Sequence, residues 1–203
     1  MFENAKWIMG TDDLKNDPNP DGSIYFQRSF NLKELPAEAT LNCAALGYGC
    51  FFINGKAVTN DVLTTPFTKF DERVIYSVYD VTKHLKKGEN IIASYVGNGW
   101  YNDTGDCWNF EKASWREVKK LICQLNMTLK NGTVQTIVSD TDWSRHDAPS
   151  VYNHLREGEI YDARLEIPNW NSEKKRNWKK ALIAHPPGGE LCTSLIPPIR
   201  ITR

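Results

Sequence analysis

Leu121, Cys123, Leu125, Met127 and Leu129 alternate with more polar neighbours, Asn131-Gly132 follows, and Val134, Thr136 and Val138 take the alternation up again. This stretch constrains the chain more than any other. A period of two places one set of side chains on a single face of an extended strand. Asn-Gly is the dipeptide best able to take positive φ at both central positions of a tight turn, so the chain reverses and the second run pairs with the first. The same punctuation recurs. Asn54-Gly55 follows CFFI, and Lys87-Gly88 separates YDVTKHL from NIIASYV. Further extended runs are YFQRSFNL, ATLNCAALGY, RVIYSVYDV and PPIRITR. Around nine or ten short strands with almost no helical pattern predict an all-β fold, an antiparallel β-sandwich. DVTKHLKKG alone reads as helical, for one or two turns. A chain of 203 residues is an ordinary length for one such sandwich, so residues 1–203 are expected to form a single domain. The most charged stretch, NWNSEKKRNWKKA, reads as a solvated loop.

Lysine plus arginine number 25, and aspartate plus glutamate also number 25. A formal net charge of zero argues against nucleic acid or an anionic membrane surface as partner. No apolar run is long enough for a membrane-spanning helix. The opening MFENAKWIMGTDD lacks the basic and apolar regions of a secretory signal, so the chain is expected to be either cytoplasmic or cut from a longer precursor. Five cysteines are scattered without a C-x-x-C pair, which supports neither a zinc site nor a disulfide framework. Cys43 and Cys123 sit in alternating apolar runs and are expected to be buried free thiols. Cys107, in an aromatic loop, is expected to be the reactive one.

That loop is VGNGWYNDTGDCW, residues 96–108, where an apolar strand ends on Gly-Asn-Gly and opens into aromatics and carboxylates. Apolar sugar faces stack on aromatic rings while a few polar groups read the hydroxyls, so Asn98, Trp100, Tyr101, Asp106 and Trp108 are the candidate sugar contacts. Trp100 continues the strand and reads as core or half-buried; Trp108 is the better solvent-facing platform. Asn60 and Asp61 follow a hairpin, and Asn98 lies between two glycines that allow close approach. These hard oxygens on irregular backbone are the ligand type calcium takes, and equally the residues that form Asx turns and left-handed turn positions.

Taken together, AKWIM, YFQRSFNL, INGKAVTNDVLTTPFTKFDERVIYSVYDVT, NIIASYVGNGWY, SDTDWS, EGEIYDARLE and PPIRIT resemble the N-terminal, non-catalytic region of bacterial α-L-rhamnosidases of glycoside hydrolase family 78. The resemblance runs in order and spacing from about residue 5 to 203. It implies a galactose-binding-like jelly roll placed ahead of a catalytic (α/α)6 barrel, which would follow this chain in the parent protein. It further implies action on rhamnose-containing glycans outside the cytoplasm. In some members the jelly roll binds rhamnose through a calcium ion, and the matching metal positions here are Asn60, Asp61 and Asn98. The Asn60-Asp61 order is reversed relative to that pattern, and Phe67 stands where the family has tryptophan.

Two readings follow, a carbohydrate-binding module and a structural domain that packs on the barrel and shapes its entrance. A third, a free-standing hydrolase, would need Glu159 and Asp162 as acid and base, which calls for a deep site and an acid with a raised pKa. Alternation from Glu159 to Arg164 puts Asp162 and Arg164 on one face, where an ion pair would form. The chain itself is expected to be non-catalytic. The four histidines, His84, His146, His154 and His185, are isolated in sequence and are expected to be surface or loop residues.

Overall fold

The computed structural model describes residues 2–11, 20–103 and 112–202. The strands are β1 (Ile8–Met9), β2 (Ile24–Leu32), β3 (Glu38–Leu46), β4 (Gly49–Ile53), β5 (Lys56–Ala57), β6 (Asp61–Val62), β7 (Arg73–Asp80) and β8 (Gly88–Val96). They continue with β9 (Lys120–Thr128), β10 (Val134–Val138), β11 (Ser144–Asp147), β12 (Ser150–His154), β13 (Gly158–Tyr161), β14 (Lys179–Lys180), β15 (Leu182–Ile183), β16 (Glu190–Thr193) and β17 (Ile199–Arg200). One sheet runs β15-β1-β9-β3-β7-β16, with β10 also on β9; the other runs β14-β11-β2-β8-β4-β5. All pairings within them are antiparallel except β16 on β7, which is parallel. This is the β-sandwich that the alternating runs predict, and the jelly roll that the family resemblance implies.

The two Asn-Gly turns work differently. Asn54 and Gly55 both take positive φ, 52° and 83°, and join β4 to β5 in a two-residue reversal. At the Asn131-Gly132 turn only Gly132 is left-handed, at 83°. Thr128 pairs with Val134, and the Leu129 amide donates to the Thr133 carbonyl at 2.8 Å. The longer loop needs one left-handed residue rather than two, so the two-positive-φ expectation fails there. The helical stretch after β7 is a single 3-10 turn at Thr82–His84.

Phe26, Phe30, Phe51, Ile53 and Ile92 of one sheet meet Leu41, Cys43, Leu121, Cys123, Leu125 and Met127 of the other to form the main core. Cys43 and Cys123, directly opposite in register, are buried free thiols. A second cluster covers the outer face of the larger sheet, built on Trp7, Ala44, Leu46, Phe70, Tyr101 and Ile122. β9 is therefore buried on both faces, and residues such as Ile122, which alternation assigns to the polar side, are core. This second core carries the segment after β8 that opens into the candidate site.

Candidate functional site

β8 ends at Val96, which pairs with both Ile24 and Gly49. The chain then passes close beside the β3–β4 connection. A Cβ on Gly47 would lie 1.8 Å from the Asn98 carbonyl oxygen, and one on Gly99 would lie 2.7 Å from the Tyr48 amide nitrogen. Glycine is required where two backbones press together this closely. The approach forces Asn98 inward.

The Asn98 side chain is fully engaged and 0% of the residue is exposed. Its Nδ2 donates to the Asp21 carbonyl at 2.8 Å and to the Asn153 carbonyl at 2.9 Å. Its Oδ1 accepts from Lys119 Nζ at 3.0 Å and Asn102 Nδ2 at 3.1 Å. One carboxamide thus ties together the entry to β2, the exit of β8, the entry to β9 and β12. This corrects the reading of Asn98 as a sugar contact or calcium ligand. Its oxygen faces two N–H donors, one an ammonium, which is the wrong polarity for a cation, and water does not reach it. Tyr101 is corrected likewise. It is 1% exposed, and its ring packs edge-on against Phe70 at 5.4 Å in the second core.

His154, expected at the surface, is buried beside this hub. Its Nδ1 lies 3.0 Å from Asp103 Oδ1 and its Nε2 lies 3.2 Å from Asp21 Oδ1, with Tyr152 tilted against the ring at 4.4 Å. Nothing in the local sequence around His154 signals this, because its partners are 51 and 133 positions away.

Asn60 is exposed, and Asp61 lies apart from the hub at the start of β6. Asp61 Oδ1 accepts from Arg200 Nε at 2.8 Å, and β6 pairs with β17 around it. Burial alone would raise the Asp61 pKa, but the hydrogen bonds from Arg200 and Thr59 and the arginine charge prevail and hold it below the usual value. Asn60, Asp61 and Asn98 therefore do not assemble into the six-to-eight-oxygen cage that calcium takes. Among the described residues no group of three or more His, Cys, Asp or Glu side chains is placed to hold a metal.

What the structure does bring together is aromatic. Trp100 is half-buried and packs at 5.2 Å against Phe67, whose residue surface is 47% exposed. Phe67 also meets Trp115 at 6.0 Å, and Phe70 supports it from beneath at 5.9 Å. Arg156 lies over the Trp100 ring at 5.9 Å. The result is a shelf of apolar ring surface with a guanidinium at its rim. Trp100 and Trp115 are legible in sequence as members of one run of aromatics within sixteen positions; Arg156 carries no such signal. Asp106, Cys107 and Trp108 lie outside the described residues.

The Glu159–Arg164 stretch departs from a continuous strand. β13 stops at Tyr161, and Asp162 caps a 3-10 turn over Ala163–Leu165 by accepting from the Arg164 amide. The expected Asp162–Arg164 ion pair is present, at 2.6 Å, but it belongs to the cap. The Arg164 side chain and amide hold the Asp162 carboxyl down to about 2, the opposite of the raised pKa that a general acid needs.

The family model for the α-L-rhamnosidase N-terminal domain matches residues 34–203. An α-L-rhamnosidase of Formosa agariphila is 34% identical over 160 residues, covering 76% of this chain and 17% of its own length. One from Streptomyces avermitilis is 37% identical over 136 residues, covering 67% of this chain and 13% of its own. Among solved structures, α-L-rhamnosidase from Dictyoglomus thermophilum superposes with a TM-score of 0.86 at 33% identity, covering 98% of this chain and 23% of that one. Streptomyces avermitilis α-L-rhamnosidase, solved in complex with L-rhamnose, superposes with a TM-score of 0.84 at 31% identity, covering 90% of this chain and 18% of that one. The chain thus spans about a fifth of the length of the proteins it matches. A Pleurotus ostreatus lectin shares the fold, with a TM-score of 0.62 at 17% identity, covering 96% of this chain and 47% of that one.

Proposed function

The chain belongs to the α-L-rhamnosidase N-terminal domain family, and from that premise we propose that it is the sugar-holding accessory domain of an α-L-rhamnosidase. The observation that carries this reading is the Phe67–Trp100–Trp115 shelf with Arg156 at its rim. Rhamnose is a 6-deoxy sugar, and its methyl group and C–H edge give it an unusually apolar flank. Such a flank gains from stacking on indole and phenyl faces, while the guanidinium donates to hydroxyls at the edge. Trp100 follows β8, whose exit the Asn98 hub fixes, and Phe70 packs against Phe67 and Trp115, so the rings are oriented before any sugar arrives. Bond cleavage would belong to another part of the parent enzyme.

Calorimetric titration of L-rhamnose tests this, with Trp100→Ala as the variant. Heat is expected from the native chain, with affinity at least about tenfold weaker in Trp100→Ala and unfolding still cooperative. Repeating the titration after chelation shows whether a cation takes part. No heat at millimolar sugar from the native chain would sink the reading.

A second reading, packing on the rest of the parent enzyme, is favoured by a different observation. A groove of about 430 Å³ opens between β6, β7 and residues 193–200, with Val62, Val78, Ile196 and Ile199 on its walls. Val78, Ile196 and Ile199 are exposed, which is costly apolar surface for a lone domain. Val78→Glu in the parent enzyme is expected to lower its thermal midpoint by several degrees while leaving rhamnose titration of this chain alone unchanged. An unchanged midpoint would remove the groove from the interface.

A further inference from the structure

The outer face of the smaller sheet carries a second site. Gln27, Ser144 and Lys180 lie in register across β2, β11 and β14, so their side chains share that face. Over it folds the segment 168–178, which the sequence alone presents as a solvated loop. Gln27, buried beneath it, holds it down. Gln27 Nε2 donates to the carbonyls of Trp170 at 2.6 Å and Glu173 at 2.7 Å, and its Oε1 accepts from the Lys175 amide at 2.9 Å. Trp170 stacks on Tyr25 at 4.0 Å, and Trp178 lies parallel to the same ring at 6.0 Å with His146 against it at 5.5 Å. Lys175 is drawn to the Pro168 carbonyl at 2.7 Å and to Glu173 at 3.5 Å. The segment is a fixed wall.

Between that wall and the sheet is a cleft of about 610 Å³, a size typical of small-ligand sites. Its lining has five cations, Arg28, Lys174, Lys175, Arg176 and Lys180, against two carboxylates, Glu89 and Asp142. Arg28 already pairs with Asp140 and Asp142. Lys174, Arg176 and Lys180 are exposed and make no ion pair among the described residues. In a chain whose charges balance overall, three cations without an ion pair among the described residues, against one carboxylate likewise unpaired, Glu89, line one concave surface beside an indole. Lysine on an edge strand also deters edge-to-edge pairing, which accounts for β14 but not for a cleft or for cations on a pinned wall.

We propose that this cleft binds an anionic oligosaccharide, through carboxylate or sulfate groups that Lys174, Arg176 and Lys180 receive while Trp178 meets a ring face. Arginine offers a bidentate fork to either group, and the lysines add point charge. The proposal rests on the accessory-domain reading only for the choice of a glycan; the electrostatics stand without it. The cleft is built from different residues than the rhamnose shelf, so the two sites fail separately.

The test is calorimetric titration of the full 203-residue chain with an oligogalacturonate, a sulfated oligosaccharide of equal length and neutral maltotetraose. Each is run at low salt and again at physiological ionic strength, where screening weakens exposed charge contacts. Binding of either anionic sugar but not the neutral one is expected, and which of them binds identifies carboxylate or sulfate as the recognised group. The triple variant Lys174→Gln, Arg176→Gln, Lys180→Gln is expected to lose at least about tenfold in affinity with an unchanged thermal midpoint. Lys130→Gln, on the far β9–β10 turn, is expected to lose nothing, and rhamnose titration of the triple variant stays native. Undiminished binding by the triple variant, equal binding of maltotetraose, or equally tight binding of a DNA strand of matched charge would each overturn the proposal.

Discussion

Asn98→Ala is expected to lower the free energy of unfolding by about 3–4 kcal/mol in urea titration, with little change in the slope. The carboxamide fills all of its hydrogen-bonding capacity in a dry site, so its removal deletes four hydrogen bonds at once, although the Asp21 carbonyl keeps Asn153 Nδ2 as a donor and Asn102 Nδ2 keeps the Pro20 carbonyl as an acceptor. Each lost hydrogen bond costs of order 1 kcal/mol, and the one to Lys119 costs more because its charge keeps only its remaining partners, the Pro20 carbonyl at 2.8 Å among them. Asn98→Asp separates geometry from chemistry. It restores an acceptor for Lys119 but sets carboxylate oxygen against the Asp21 and Asn153 carbonyls, so it is expected to recover only part of the loss. A sugar or metal ligand behaves in the opposite way, since its removal abolishes binding and spares stability. A stable Asn98→Ala chain that no longer binds sugar would return the residue to the binding site.

How far the sequence shows this fold and site depends on the reach of each signal. Period-two alternation and Asn54-Gly55 act between neighbours, so the sandwich is visible in the runs themselves. Asn98 between two glycines was equally visible as special, but its partners lie 77, 55 and 21 positions away, and the same three letters suit a ligand or a hub. Gly47, whose missing side chain admits the Asn98 backbone, carries no local mark at all. Charge patterning shows the exposure of the 174–180 stretch but not its anchor. Residues 174–180 look like a solvated run until Gln27, 148 positions earlier, is seen to fasten the Lys175 amide. Phe67 and Trp100 were singled out separately; that they touch is a fact of topology. Period and turn chemistry specify the scaffold, and chance neighbours on that scaffold specify the chemistry.

The second core holds an asymmetric ion pair whose two halves are expected to respond very differently to substitution. The Lys120 side chain is 0% exposed, while that of Glu117, its partner at 2.5 Å, is 42% exposed. Lys120 also donates to the His185 carbonyl at 3.1 Å and lies 5.7 Å from the centre of the Tyr101 ring. Glu117→Gln is expected to cost about 2–4 kcal/mol, because it leaves a dry ammonium without its counter-charge. Lys120→Met is expected to stay within about 1 kcal/mol of native, because the freed carboxylate is partly in water and keeps the Tyr101 hydroxyl as a donor at 3.4 Å, while the thioether chain fills the same volume.

The pH dependence follows from the direction of the lysine shift. Burial lowers the Lys120 pKa below its ordinary 10.5, and the hydrogen bond and charge of Glu117 pull it part of the way back. Between the folded and unfolded pKa values the unfolded chain holds more protons, so native stability rises as pH climbs through that window toward 10.5. Without Glu117 the folded value falls further and the window opens at lower pH. The deficit of Glu117→Gln is therefore expected to be largest near neutrality and to shrink steadily on the alkaline side, whereas Lys120→Met has no such slope. Thermal melts of the two variants and the native chain across that range measure it directly. A Glu117→Gln deficit that does not change with pH would mean that Lys120 is already neutral in the native fold.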